Sequence, residues 1–114
     1  MFSPDPLLNS GEKIFVIERR LYKEDIQRHF VGEVENCTNV GFRARGYPFF
    51  YHESVQRFVR KPKPRRRVFV FGGAITLYLL PKESDIESIN YASRDQKIIL
   101  TDERSFEFDV TNPG

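Results

Sequence analysis

Period-two alternation with β-branched and aromatic enrichment dominates this chain, and no window sustains an i, i+3, i+4, i+7 apolar stripe for three turns. That pattern restricts the chain to an all-β fold. Strand-like runs are predicted over Lys13 to Leu21, Arg28 to Cys37, Val40 to His52 and Val55 to Val59, then Val68 to Phe71, Ala74 to Leu80, Ile86 to Ala92, Lys97 to Thr101 and Phe106 to Val110. Gly32 marks a sharp bend or a close backbone approach in the second run, and Gly46 with Pro48 marks a bulge or an edge position in the third. Ile75, Leu77 and Leu79 alternate with Thr76, Tyr78 and Leu80, so both faces of that run are largely apolar and cover is expected on each, which a neighbouring subunit could supply.

The chain has 114 residues, the size of one domain, and its eleven Phe and five Tyr supply the bulky groups a small core needs to offset chain entropy. Residues 1–12, with Pro4, Pro6, Asn9, Ser10 and Gly11, form a turn-rich lead-in. Residues 13–81 form the main β unit. Residues 82–114 form a C-terminal hairpin or meander expected to pack on it, with frayed ends at Thr111 to Gly114. No apolar stretch nears the roughly 20 residues that span a bilayer, and the start lacks a basic and apolar leader pattern, so no membrane association and a cytoplasmic location are expected.

A single cysteine, Cys37, precludes an internal disulfide, and His29 and His52 have no metal-site spacing around them, so neither a metal nor a cofactor is expected. Cys37 reads as a small core residue and the histidines as strand residues. No nucleophile elbow, phosphate loop or catalytic cluster is present, and an enzyme is not expected.

Charge is unevenly distributed. Ser54 to Lys82 holds eight basic and no acidic residues, whereas Glu83 to Gly114 holds three basic and eight acidic ones, and the net charge of +2 hides this asymmetry. Such separation suits a polyanion partner or a self-complementary assembly. Within the basic stretch, Arg57, Arg60, Lys61, Lys63, Arg65, Arg66 and Arg67 are interleaved with Pro62 and Pro64, which favour an extended, stiff backbone whose charges reach successive phosphates. The same run also reads as a solvated loop that guards a sheet edge. Tyr47, Phe49, Phe50, Tyr51 and Phe58 lie nearby and are expected mainly in the core, with base stacking as the alternative for any exposed pair.

Arg28-His29-Phe30-Val31-Gly32-Glu33-Val34 and Gly73-Ala74-Ile75-Thr76-Leu77-Tyr78-Leu79-Leu80-Pro81 resemble the two short motifs of the Sm-like family. The resemblance covers about Glu12 to Pro81 and implies a small, strongly bent five-stranded barrel with a C-terminal β extension. It further implies a homo-oligomeric cyclic ring of five to seven subunits that binds RNA, with the basic segment as the loop between the third and fourth strands. The chain is a divergent match: Thr38, Gly41 and Gly72 stand where the family has its base-pocket aspartate, asparagine and arginine. RNA binding is therefore expected through backbone phosphates, by the seven basic residues from Arg57 to Arg67. The alternative is a protein-interaction or assembly module without a nucleic-acid ligand.

Overall fold

A computed structural model describes residues 7–20, 22 and 27–110. Among them the fold is all-β and antiparallel, apart from one short 3-10 turn at Ile86–Ser88. The first sheet contains β1 (Lys13–Glu18), β2 (Arg28–Cys37), β3 (Gly41–His52), β4 (Arg57–Arg60), β5 (Arg65–Val70) and β6 (Ile75–Leu79). The second contains β7 (Asn90–Arg94), β8 (Lys97–Thr101) and β9 (Glu107–Asp109) in meander order. Leu21, at the end of the first predicted run, and residues 23–26 lie outside the described residues, as do residues 1–6 of the lead-in and the predicted frayed end at 111–114.

In the first sheet the order is β6, β1, β2, β3, and then β4 and β5 end to end along β3. Gly41 to Gly46 pair with Val70 back to Arg65, and Phe49 to His52 pair with Arg60 back to Arg57. Two residues of β3, Tyr47 and Pro48, thus stand opposite four, Lys61 to Pro64. The extra residues are thrown out as a bulge, held at its start by the Lys61 amide donating to the Pro48 carbonyl at 2.9 Å. The basic segment is therefore mostly strand. Arg57 and Arg60 lie in β4, Lys61 and Lys63 in the bulge, and Arg65, Arg66 and Arg67 in β5, where the sequence suggested a protruding loop. An edge strand accommodates this composition because one side of its backbone faces solvent, so charged side chains and nearby prolines cost it little.

The sheet is curled. Arg67 of β5 lies 3.3 Å from Glu18 of β1, whereas three strand spacings in a flat sheet would hold their backbones about 14 Å apart. Its edges do not join among the described residues, so the sheet is not a closed barrel. Gly32 and Gly46 face one another across β2 and β3, and a Cβ on Gly46 would come within 2.0 Å of the Val31 carbonyl oxygen. Only glycine permits that approach, which sits midway along both strands.

Strict alternation sorts the core into two clusters. Ile14, Val16, Phe30, Val34, Phe42, Ala44 and Phe69 pack on the concave face, joined by Leu8 from the lead-in. Phe15, Val31, Tyr47 and Phe49 point the other way and pack with Leu80, Ile89 and Leu100, so the C-terminal segment covers part of the convex face. Cys37 is half-buried against the concave cluster. Ile75, Leu77 and Tyr78 of β6 and Phe69 of β5 are covered by one cluster or the other, whereas Val68, Val70 and Leu79 are 70%, 66% and 62% exposed. Both strands are sheet edges, separated by a turn in which Gly72 and Gly73 adopt φ of +140° and +87°.

Candidate nucleic-acid interface

The pleat divides the seven predicted basic residues between the two faces. On the convex face, the Arg60 guanidinium lies over the Tyr47 ring at 3.9 Å and donates to the carbonyls of Glu87 at 2.6 Å and Ile89 at 3.0 Å. Arg60 thereby clamps the C-terminal segment to the first sheet. Arg66 also points to this face, where its Nε lies 3.2 Å from Glu35, a residue at the β2 bulge that Arg43 approaches at 3.8 Å.

The concave face receives the others that converge. Arg28 of β2 stands opposite Phe50 of β3, and Phe30 stands opposite Pro48, so these residues continue the inward face beyond its apolar core. Lys61 from the bulge and Arg65 and Arg67 from β5 complete a groove of about 380 Å³ lined by Arg28, Pro48, Phe49, Phe50, Lys61, Arg65 and Arg67. Lys61 Nζ lies 4.6 Å from the centre of the Phe50 ring. Arg67 is tied to Glu18 at 3.3 Å. Among the described residues no carboxylate lines the groove, and Arg28, Lys61 and Arg65 have no acidic partner. Arg57 and Lys63 are exposed at the strand end and on the bulge, outside the groove lining.

The opposite face has the opposite character. A cleft of about 870 Å³ separates the sheet from the segment after β6, and Glu33, Glu35, Glu83, Asp85 and Glu87 line it with Lys13 and Arg45. Within that cleft the five carboxylates outnumber the two cations, which disfavours a polyanion there. Among the described residues no cluster of three or more His, Cys, Asp and Glu is placed to hold a metal ion.

Between the sheets, His29 is buried beside Phe15, Phe58 and Tyr91, and its Nδ1 is hydrogen-bonded to the Tyr91 hydroxyl. Desolvation holds the imidazole at about 4, down from its ordinary 6.5, and pushes the Tyr91 phenol well above its usual range. For Asp102, burial acts to raise the pKa, but amides of Ser105, Asp85 and Arg104 outweigh it and hold the carboxyl well below the ordinary range. Asp102 thus fixes the turn between β8 and β9 to the segment before the 3-10 turn.

The groove gathers Lys61, Arg65 and Arg67 from the predicted set, and adds Arg28 and Pro48, which sequence reasoning did not place there. Phe50, one of the aromatics near the basic run, is half-buried with its ring beneath Lys61. The signal for Arg28 and Phe50 is their shared even position, but it becomes visible only once β2 and β3 are aligned. No family model matches the chain, and comparison with curated proteins and solved structures likewise gives no match.

Proposed function

We propose that the chain is a divergent Sm-like, ring-forming protein of the cytoplasm that binds RNA through backbone phosphates, and that it acts as a binding protein rather than an enzyme. The observation that carries this reading is the convergence of Arg28, Lys61, Arg65 and Arg67 on one groove of the concave face whose lining, among the described residues, holds no carboxylate. Phosphate neutralisation by such a set releases counterions and gives salt-dependent affinity.

Ring assembly is supported by the strand order and by the open edges. The path β6, β1, β2, β3 and the composite β4/β5 leaves β6 at one edge of the sheet and β4/β5 at the other. Its two outer strands expose Val68, Val70 and Leu79, and pairing β5 of one copy with β6 of the next would cover both edges in a closed ring of five to seven copies. Native mass spectrometry before and after nuclease treatment tests the reading. It predicts a single cyclic oligomer that retains nucleic acid until digestion; a monomer without bound nucleic acid contradicts it.

The carboxylates of the convex cleft favour a second reading, in which the basic strand of one copy meets the acidic cleft of another without nucleic acid. That assembly would dissociate in high salt. Oligomers unchanged by salt and by charge reversal at Arg65 to Arg67 rule it out.

A further inference from the structure

The concave groove has two chemically distinct sides. Half-buried Phe50 of β3 presents aromatic surface beside the buried Pro48, while Arg28, Lys61 and Arg65 surround it with cations. A site for inorganic phosphate would need only the second. A site for a buried apolar ligand would not bring several cations around one ring. The combination fits a planar base joined to phosphates, and the groove, at about 380 Å³, falls within the 300–1,000 Å³ range of small-ligand sites.

We propose that this groove holds one unstacked nucleotide of a single strand, its base against Phe50 and Pro48 and its flanking phosphates on Arg28 and Arg65. The proposal deepens the RNA-binding reading and rests on it. Lys61 covers the Phe50 ring in the free protein. Stacking of a base contributes more than an exposed lysine over a ring, so the base displaces the ammonium, which its flexible stem carries toward a phosphate. Arg67 is held back by Glu18 and sets the inner end of the groove. A duplex does not fit this account, since its bases are stacked on one another and their faces are unavailable. Recognition is weakly selective, because every base offers a π face. In a ring, each copy would take one nucleotide in this way.

The test uses the full chain and three probes: an oligouridylate, an abasic strand of the same length and charge, and uridine monophosphate. Phe50→Leu is expected to weaken oligouridylate binding at least about fivefold, the low end for loss of one aromatic stack. It should leave abasic-strand binding unchanged, which also shows that the variant is folded. Arg28→Gln combined with Arg65→Gln should weaken both strands. Photocrosslinking of a 5-iodouridine strand to the unmodified protein should place the adduct on the peptide containing Phe50, whatever the stability of the variant. If the parent protein binds oligouridylate but Phe50→Leu binds it equally well, or the adduct lies only elsewhere, the groove assignment is overturned while the RNA-binding reading stands. Absence of oligouridylate binding by the parent overturns both. Uridine monophosphate binding as tightly as the strand would make the occupant a free nucleotide and overturn the single-strand assignment.

Discussion

Arg67 of β5 and Glu18 of β1 meet at 3.3 Å across the concave face, although β2 and β3 lie between their strands. Each side chain is about one-third exposed, so the pair is partly screened, and a double-mutant cycle with Arg67→Ala and Glu18→Gln should yield a coupling of about 0.5–1 kcal/mol in urea unfolding. The coupling should shrink as salt is added. A cycle that closes to zero at low salt would mean that the curl of the sheet does not bring these charges together in solution.

Gly46 should tolerate no side chain. The Cβ of Gly46→Ala would lie 2.0 Å from the Val31 carbonyl oxygen and 2.4 Å from Gly32 Cα, both backbone atoms that cannot move aside alone. Chemical denaturation should show a loss of at least about 3 kcal/mol, or no folded protein, since this is overpacking against a fixed ladder. A near-neutral effect would contradict the close crossing of β2 and β3.

Arg60 separates structural from binding roles among the basic residues. Its guanidinium donates to two carbonyls of the C-terminal segment and lies over Tyr47. Arg60→Ala should cost about 2 kcal/mol of stability, in the range for hydrogen bonds from a charged group, and leave the salt dependence of RNA binding unchanged. Arg65→Ala should do the reverse, with little effect on stability and a shallower salt dependence. The two variants exchanging these behaviours would invert the assignment of faces.

Stability should fall on mild acidification because of His29. The folded imidazole titrates near 4 and the unfolded one near 6.5, so the unfolded chain binds the extra proton first. The contribution is complete above pH 6.5 and is lost as the pH falls toward 4, by a total of about 3 kcal/mol from the linkage of 1.36 kcal/mol per pKa unit. His29→Gln should flatten the stability profile across that window. An identical profile in parent and variant would show that the imidazole is not buried neutral between the sheets.

The strand period was legible because alternation depends only on neighbours in sequence: Arg28 to Cys37 and Lys97 to Thr101 are strands with the expected ends. Two local readings failed for physical reasons. Arg65 to Arg67 follow two prolines and carry three charges, yet they form β5 because an edge strand leaves charged side chains in water. Ile86 to Ser88 open the predicted strand to Ala92, but Asp85 accepts from the Glu87 amide at 3.2 Å and from the Ser88 hydroxyl at 2.7 Å, and that cap closes a 3-10 turn instead. The basic segment was visible as composition, whereas its division between two faces was not. That division depends on the pairing of β3 with β5 and on the bulge at Lys61 to Pro64, both long-range features that no local pattern records.

The most direct test of the central claim is the salt dependence of single-stranded RNA affinity for the parent protein and for the combined Arg28→Ala, Arg65→Ala variant. If both arginines neutralise phosphates, the slope of log affinity against log salt should become shallower by about 1.4, since each single-strand phosphate contact contributes about 0.7. An unchanged slope in a folded variant, or no affinity in the parent at low salt, would contradict the assignment of the concave groove to a nucleic-acid backbone.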